Sequence, residues 1–144
     1  MQQVRSATER QLVIKEFVFA GGSSTMIAAR DTVMQFLNEH GVDGDEEIDI
    51  MIALQEALAN AVLHGCGDDP IKQIHCIVTV DPAEISIVIR DPGPGFETAS
   101  SSDSAEDGTN LTEHGRGILL MRSLMDEIHY SHRGAEVHMI KRRG

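Results

Sequence analysis

Residues Leu54 to Gly65 read LQEALANAVLHG, with Glu56, Asn60 and His64 spaced four apart. A four-residue step advances a helix by one turn plus about 40°. Glu56 and Asn60 therefore share one face, and His64 trails round its edge. Ala57, Leu58, Ala61 and Val62 supply an apolar stripe on the other side, so the polar group faces something other than the core. Taken alone, a solvated helix face accounts for it, because most polar residues on helices are exposed. The sequence on either side gives the pair a second reading, as an acid and an amide looking into a nucleotide site.

Upstream, Gln11 to Phe19 (QLVIKEFVF) alternates imperfectly and predicts an opening strand that Gly21 and Gly22 end. Ser23 and Ser24 are candidate caps for a helix running to about His40, with Ile27, Val33, Met34 and Leu37 at helical spacing and Gly41 as its stop. Asp43 to Glu47 gives the next helix an acidic first turn, favourable against the positive end of its dipole. That helix continues through Ile48, Ile52 and Ala53 into LQEALANAVLHG and ends at Gly65 or Gly67.

Downstream, KQIHCIVTVD (Lys72 to Asp81) and EISIVIRD (Glu84 to Asp91) predict an antiparallel hairpin turned at Asp81, Pro82 and Ala83. From Pro92 to about Glu113 apolar periodicity is lost, and so long a loop is usually functional or disordered. GRGILLMRSLMDE then predicts a helix from Gly115, its apolar face made by Ile118, Leu119, Met121, Leu124 and Met125. Two strands, about Glu127 to Ser131 and Glu136 to Lys141, close the chain around a turn at Arg133 and Gly134. This order is that of an α+β protein, a two-layer sandwich with helices on one face of a mainly antiparallel sheet.

The bulk composition narrows the function. The 144 residues suit one domain, and with 3% aromatics and no Trp the core must come from Ile, Leu, Val, Met and Ala. A net charge of −11 argues against non-specific binding to phosphate backbones. Lys141, Arg142 and Arg143 read as a solvated terminus. Cys66 and Cys76 are the two cysteines, and no signal peptide or membrane-length apolar run is present, which predicts a cytoplasmic chain with free thiols and no membrane contact. His129 and His132 are the nearest approach to a metal-ligand pair but lack a second pair.

Two further pieces carry chemistry. In DPGPGF, Asp91 closes a hydrophobic strand, and Gly93 and Gly95 follow where backbone can approach a ligand closely. A carboxylate there suits an exocyclic amine such as that of adenine, although Asp-Pro-Gly is also ordinary turn chemistry. In HGRG, Gly115 and Gly117 place small residues where a helix start offers unpaired N–H groups to phosphate, or merely enters a helix. The acidic loop residues Asp103, Glu106, Asp107 and Glu113 read as solvated. Asn60 can offer a carbonyl oxygen to Mg²⁺, and Glu56 can take a proton from an attacking hydroxyl.

EALANAVLHG, DPGPGFE and HGRGILLMRSLMDEI, in that order, resemble the N-box and the two glycine boxes of the GHKL superfamily of ATPases and kinases. Within it the chain is similar to bacterial anti-sigma factor serine/threonine kinases over nearly its whole length. The resemblance implies a single Bergerat (GHKL) domain over residues 1–144, with a mainly antiparallel mixed sheet and an ATP lid at about 96–114. It implies that Asn60 coordinates Mg²⁺, Asp91 reads the adenine amino group, Gly93 and Gly95 line the base pocket, and Gly115 and Gly117 support the phosphates. Glu56 is then the base that orients the hydroxyl of a Ser or Thr on an anti-anti-sigma (STAS) protein. Arg116 is the candidate γ-phosphate contact; in some relatives the arginine stands just ahead of the glycine box, where this chain has Glu113 and His114. His64 is open to a phosphate contact or to a bond with a helix-end carbonyl. The resemblance further implies ATP and Mg²⁺ as cofactors, a sigma factor and a STAS antagonist as partners, no direct nucleic-acid contact, and a homodimer. The alternatives are an ATP-binding regulatory module without kinase activity and a generic GHKL ATP hydrolase.

Overall fold

A computed structural model describes residues 12–93, 113–131 and 135–143, with only the backbone of residues 113–116. The elements follow the expected order. They are β1 (Val13–Ala20), a 3-10 turn (Ser23–Thr25), α1 (Met26–Glu39), α2 (Gly44–Asn60), a π-turn (Ala61–Gly65), β2 (Gln73–Val80), β3 (Glu84–Arg90), α3 (Glu113–Leu124), β4 (Glu127–Ser131) and β5 (Glu136–Arg142). The strands form one sheet in the order β1-β2-β3-β5-β4. All four pairings are antiparallel, so among the described residues the sheet is not mixed.

Alternation decides which side of the sheet is covered. Ile74, Cys76, Val78 and Val80 of β2, Ile85, Ile87 and Ile89 of β3, and Val137 and Met139 of β5 are buried. Their outward neighbours are partly or fully exposed, except Ile140, which is buried although it pairs with outward Ser86. This is the pattern of an antiparallel sheet packed on one face. Against it lies α2, whose Ile50, Ala53, Leu54, Ala57 and Leu58 repeat at alternating steps of three and one, with Ala61 and Val62 extending the stripe through the π-turn. Ala29, Val33, Met34 and Leu37 of α1 and Ile118, Met121 and Met125, at and just beyond α3, complete the core.

Several local expectations change. Ser23 and Ser24 do not cap α1; they lie in the 3-10 turn, and Thr25 Oγ1 instead donates to Ala20 O at 3.0 Å and Gly22 O at 2.9 Å. Ile27 and Leu119 lie outside the three- and four-residue spacing of the buried positions and are exposed. Helix α3 begins at Glu113, two residues before Gly115. The hairpin turn is as read, closed by Asp81 Oδ1 accepting from the N–H groups of Ala83 (2.7 Å) and Glu84 (2.8 Å). The turn at Arg133 and Gly134 and the loop from Pro94 to Thr112 lie outside the described residues.

Lys141 and Arg143 are anchored rather than solvated, whereas Arg142 is exposed as read. Lys141 Nζ donates to Asp49 Oδ2 on α2 at 3.0 Å and to Leu124 O, at the end of α3, at 2.6 Å. Arg142 pairs with Glu127, and Arg143 pairs with Glu46 and donates to Asp81 O and Gly41 O. A lysine at a helix C-terminus satisfies an orphan carbonyl and meets the negative end of the dipole. Lys141 thus joins β5, α2 and α3 at one point. Lys141→Met should lower the unfolding free energy by about 1–3 kcal/mol, the range for losing a charge-assisted hydrogen bond in a half-buried setting, read as an earlier urea midpoint at unchanged slope.

Candidate functional site

The polar residues of LQEALANAVLHG stand away from the core, as their spacing requires: Glu56 and Asn60 are half-buried and His64 is exposed. The helix does not stay α-helical to its end. From Ala61 to Gly65 the hydrogen bonds lengthen by one residue, and Cys66 N–H reaches Ala61 O at 2.9 Å. Such π-turns recur at functional sites. Beyond it Gly67 (φ +61°) and Asp68 (φ +60°) both take the left-handed conformation, and Asp68 N–H closes on Val62 O at 2.9 Å. Asp68 Oδ1 also accepts from Ser23 N–H, linking this corner to the start of α1.

The π-turn delivers Gly65 to the end of β3. Gly65 is packed so closely on the Asp91 carboxyl group that a β-carbon there would overlap it. Asp91 is fixed from two further directions. Its N–H donates to Ala135 O at 2.9 Å, and its Oδ1 accepts from Gly93 N–H at 2.8 Å. Burial raises the Asp91 pKa above its usual value, against a smaller opposing effect of the Gly93 hydrogen bond. Cys66 follows directly, buried with its sulfur on Gly21; burial, and next the charge of Asp91, push its thiol pKa up. Both cysteines are free, as read from the sequence.

Asp91, Asn60, His64 and Gly65 line a shallow recess, open in part to solvent. Ile89, Met121, Tyr130, Ala135 and Val137 form its more apolar side. The cross-strand register explains that wall: Ile89 faces Val137, and Val137 faces Tyr130, so one row of the sheet crosses β3, β5 and β4 beneath the recess. Tyr130 and Gly65 escaped the sequence reading as site residues. The spacing of the β4 strand could show that Tyr130 faces inward, but which strand stands beside β4 is not a local property. Burial lifts the Tyr130 phenol pKa to about 12.

Helix α3 closes the other side. Gly115 lies in its first turn, where backbone N–H groups have no intrahelical partner. Gly117 lies further into the helix, and its contribution is the lack of a side chain: a β-carbon there would stand 2.7 Å from Glu56 Oε1 and 4.0 Å from Asn60 Nδ2. The structure therefore brings together Glu56, Asn60 and Gly117 at one place, and His64 and Asp91 with Asn60 around the recess, with Gly93 bonded to Asp91. Gly95 lies outside the described residues, as do the side chain of Arg116 and most of the expected lid. No group of three or more His, Cys, Asp and Glu is placed to hold a metal among the described residues, and none of their helices is long and apolar enough to cross a membrane.

The antiparallel sheet covered on one face by helices is a GHKL-type fold. Residues 23–141 match the histidine kinase-like ATPase domain family, and the chain belongs to it. It is 30% identical over 128 residues to the anti-sigma F factor of Anoxybacillus flavithermus, covering 85% of this chain and 88% of that one. It is 29% identical over 114 residues to the anti-sigma F factor of Clostridium novyi, covering 76% and 78%. A solved structure of the RsbU and RsbW domains of a Mycobacterium tuberculosis protein superposes on 91% of this chain with a TM-score of 0.59 at 16% identity. This chain spans 32% of that longer one, and the likeness is one of fold.

The raised Asp91 pKa has a consequence for stability. The folded state holds the Asp91 proton more tightly than the unfolded chain, so its favourable contribution is complete below the ordinary carboxylate pKa. That contribution is lost as pH rises through the folded value. Asp91→Asn removes this titration. The stability of the variant relative to the wild type should rise as pH is raised above the ordinary carboxylate range, measured by urea unfolding; a difference constant with pH would contradict the burial of the carboxyl group.

Proposed function

We propose that the protein is an anti-sigma factor serine/threonine kinase. It binds Mg-ATP, transfers the γ-phosphoryl group to a Ser or Thr of an anti-anti-sigma (STAS) protein, and sequesters a sigma factor. The observation that carries this reading is the contact of Gly117 with Glu56 and Asn60: the glycine-bearing helix is seated on the two polar residues that a transfer reaction needs beside the terminal phosphate. The names of the relatives from Anoxybacillus and Clostridium support the anti-sigma half of the proposal.

In this reading Asp91 accepts a hydrogen bond from the adenine amino group, and Gly93 and Gly95 line the base. The apolar wall of Ile89, Met121 and Val137 covers the ring. Backbone N–H groups at the start of α3, around Gly115, receive phosphate oxygens, with Gly117 supporting that turn; Arg116 meets the γ-phosphate, and His64 faces the phosphate side of the cleft. Mg²⁺ takes few protein ligands and keeps its remaining positions for water and phosphate. The Asn60 amide beside the Glu56 carboxylate suits that demand, and Asn60 would hold the ion. When bound, it neutralises charge on the transferring group. Glu56 orients the substrate hydroxyl and receives its proton, a positioning role of the kind on which phosphoryl transfer mainly depends. The protein is taken to work in the cytoplasm as a homodimer, with partners and nucleotide state deciding which complex forms.

Incubation with γ-labelled ATP and the cognate STAS protein should label the STAS protein. Glu56→Gln should keep ATP affinity within about twofold and lose transfer by roughly a hundredfold or more, whereas Asp91→Asn should lose affinity itself. Nucleotide bound without label on the partner would favour the non-phosphorylating regulatory module, and phosphate release without any partner would favour a generic hydrolase.

A further inference from the structure

We infer that Gly65 is the positioning residue for the base-reading carboxylate: the absence of a side chain at the end of the π-turn fixes which way Asp91 points and hence which bases the cleft accepts. The inference rests on the adenine-reading role proposed for Asp91.

Three contacts leave the carboxylate one orientation. Gly65 lies against it on one side, leaving no space for a β-carbon. Gly93 N–H holds Oδ1 at 2.8 Å, which leaves Oδ2 to accept from a ligand. Gly93 is itself interlocked with Gly65, since a β-carbon on Gly93 would stand 2.7 Å from Gly65 Cα.

Neither backbone can retreat. Asp91 N–H is tied to Ala135 O at 2.9 Å, and the chain after Gly65 is held by the Cys66 bond to Ala61 O and by the Cys66 side chain buried against Gly21. A methyl group at position 65 therefore has one inexpensive outlet, rotation of the Asp91 side chain. That rotation breaks the Gly93 hydrogen bond and turns the carboxylate away from the recess. Gly65 has no positive φ, so alanine is tolerated by the backbone itself, and the effect passes through Asp91.

Affinities for ATP and for inosine triphosphate, which carries a carbonyl where adenine carries its amino group, test this on the full chain. The wild type should prefer ATP by about tenfold or more, the range for a hydrogen bond to a charged group. Gly65→Ala should bring the two affinities within about twofold while thermal unfolding stays cooperative. The double variant Gly65→Ala/Asp91→Asn should discriminate no worse than Asp91→Asn alone, because both act on one group. A Gly65→Ala protein that keeps the wild-type preference, or losses that add in the double variant, would overturn the inference. Equal affinities in the wild type would instead sink the base-reading role of Asp91. Should Gly65→Ala fail to fold, Asp91→Gly in the same chain vacates the contested space and should restore folding; continued failure would count against Gly65 acting through Asp91.

Discussion

The candidate site depends on how closely the end of the second helix approaches the end of the third strand. At that point the backbone of Gly65 touches the carboxyl group of Asp91 with no side chain between them. Such an approach demands that helix and strand be held without slack, and the core supplies the constraint. From Ile50 to Val62 the inward positions of the helix are almost wholly buried against Ile74, Cys76, Ile87 and Ile89. Interiors packed to crystalline density transmit small displacements instead of absorbing them. A shift of the helix along the sheet would open or crush the contact at its tip, so the site is set by apolar packing several turns away.

Much of the fold was legible in the sequence because it rests on two periodicities. The Ile- and Val-rich runs KQIHCIVTVD and EISIVIRD, joined through Asp81, Pro82 and Ala83, marked the hairpin. The stripe of Ala57, Leu58, Ala61 and Val62 pushed Glu56 and Asn60 to the opposite face of the central helix, while Ile48, expected ahead of it, is exposed and Ile50 is the one buried. What escaped is what periodicity does not encode. The π-turn leaves no trace, because Ala61 and Val62 continue the apolar stripe whether hydrogen bonds span four residues or five. Tyr130 entered the cleft through the placing of β5 between β3 and β4, a pairing between segments far apart in sequence. Lys141 to Arg143 looked like a tail because charge alone does not reveal that Asp49, Glu127 and Glu46 lie within reach.

The same helix divides its polar residues between two kinds of work. Glu56 and Asn60 stand on regular α-helix, where side chains four apart keep a fixed spacing, and there they meet Gly117. Gly65 stands past the change to π geometry, where the lengthened bonds bring backbone rather than a side chain against Asp91. One end of the cleft thus gathers two polar side chains beneath a glycine, and the other holds one carboxyl group against backbone.

Under the proposed base-reading role of Asp91, the apolar wall would make that second end selective. Ile89, Met121 and Val137 line the same recess as Asp91, and in a medium of lower polarity a hydrogen bond gains strength while an unmet acceptor becomes costly. Burial already disfavours the charged carboxylate, and Gly93 relieves one of its oxygens. A base that presents a donor relieves the other, whereas one that presents a carbonyl leaves it opposed by a second acceptor. In that role, discrimination would arise from the cost of the wrong base more than from the gain of the right one. That cost exists only while Gly65 and Gly93 keep the carboxylate from turning aside.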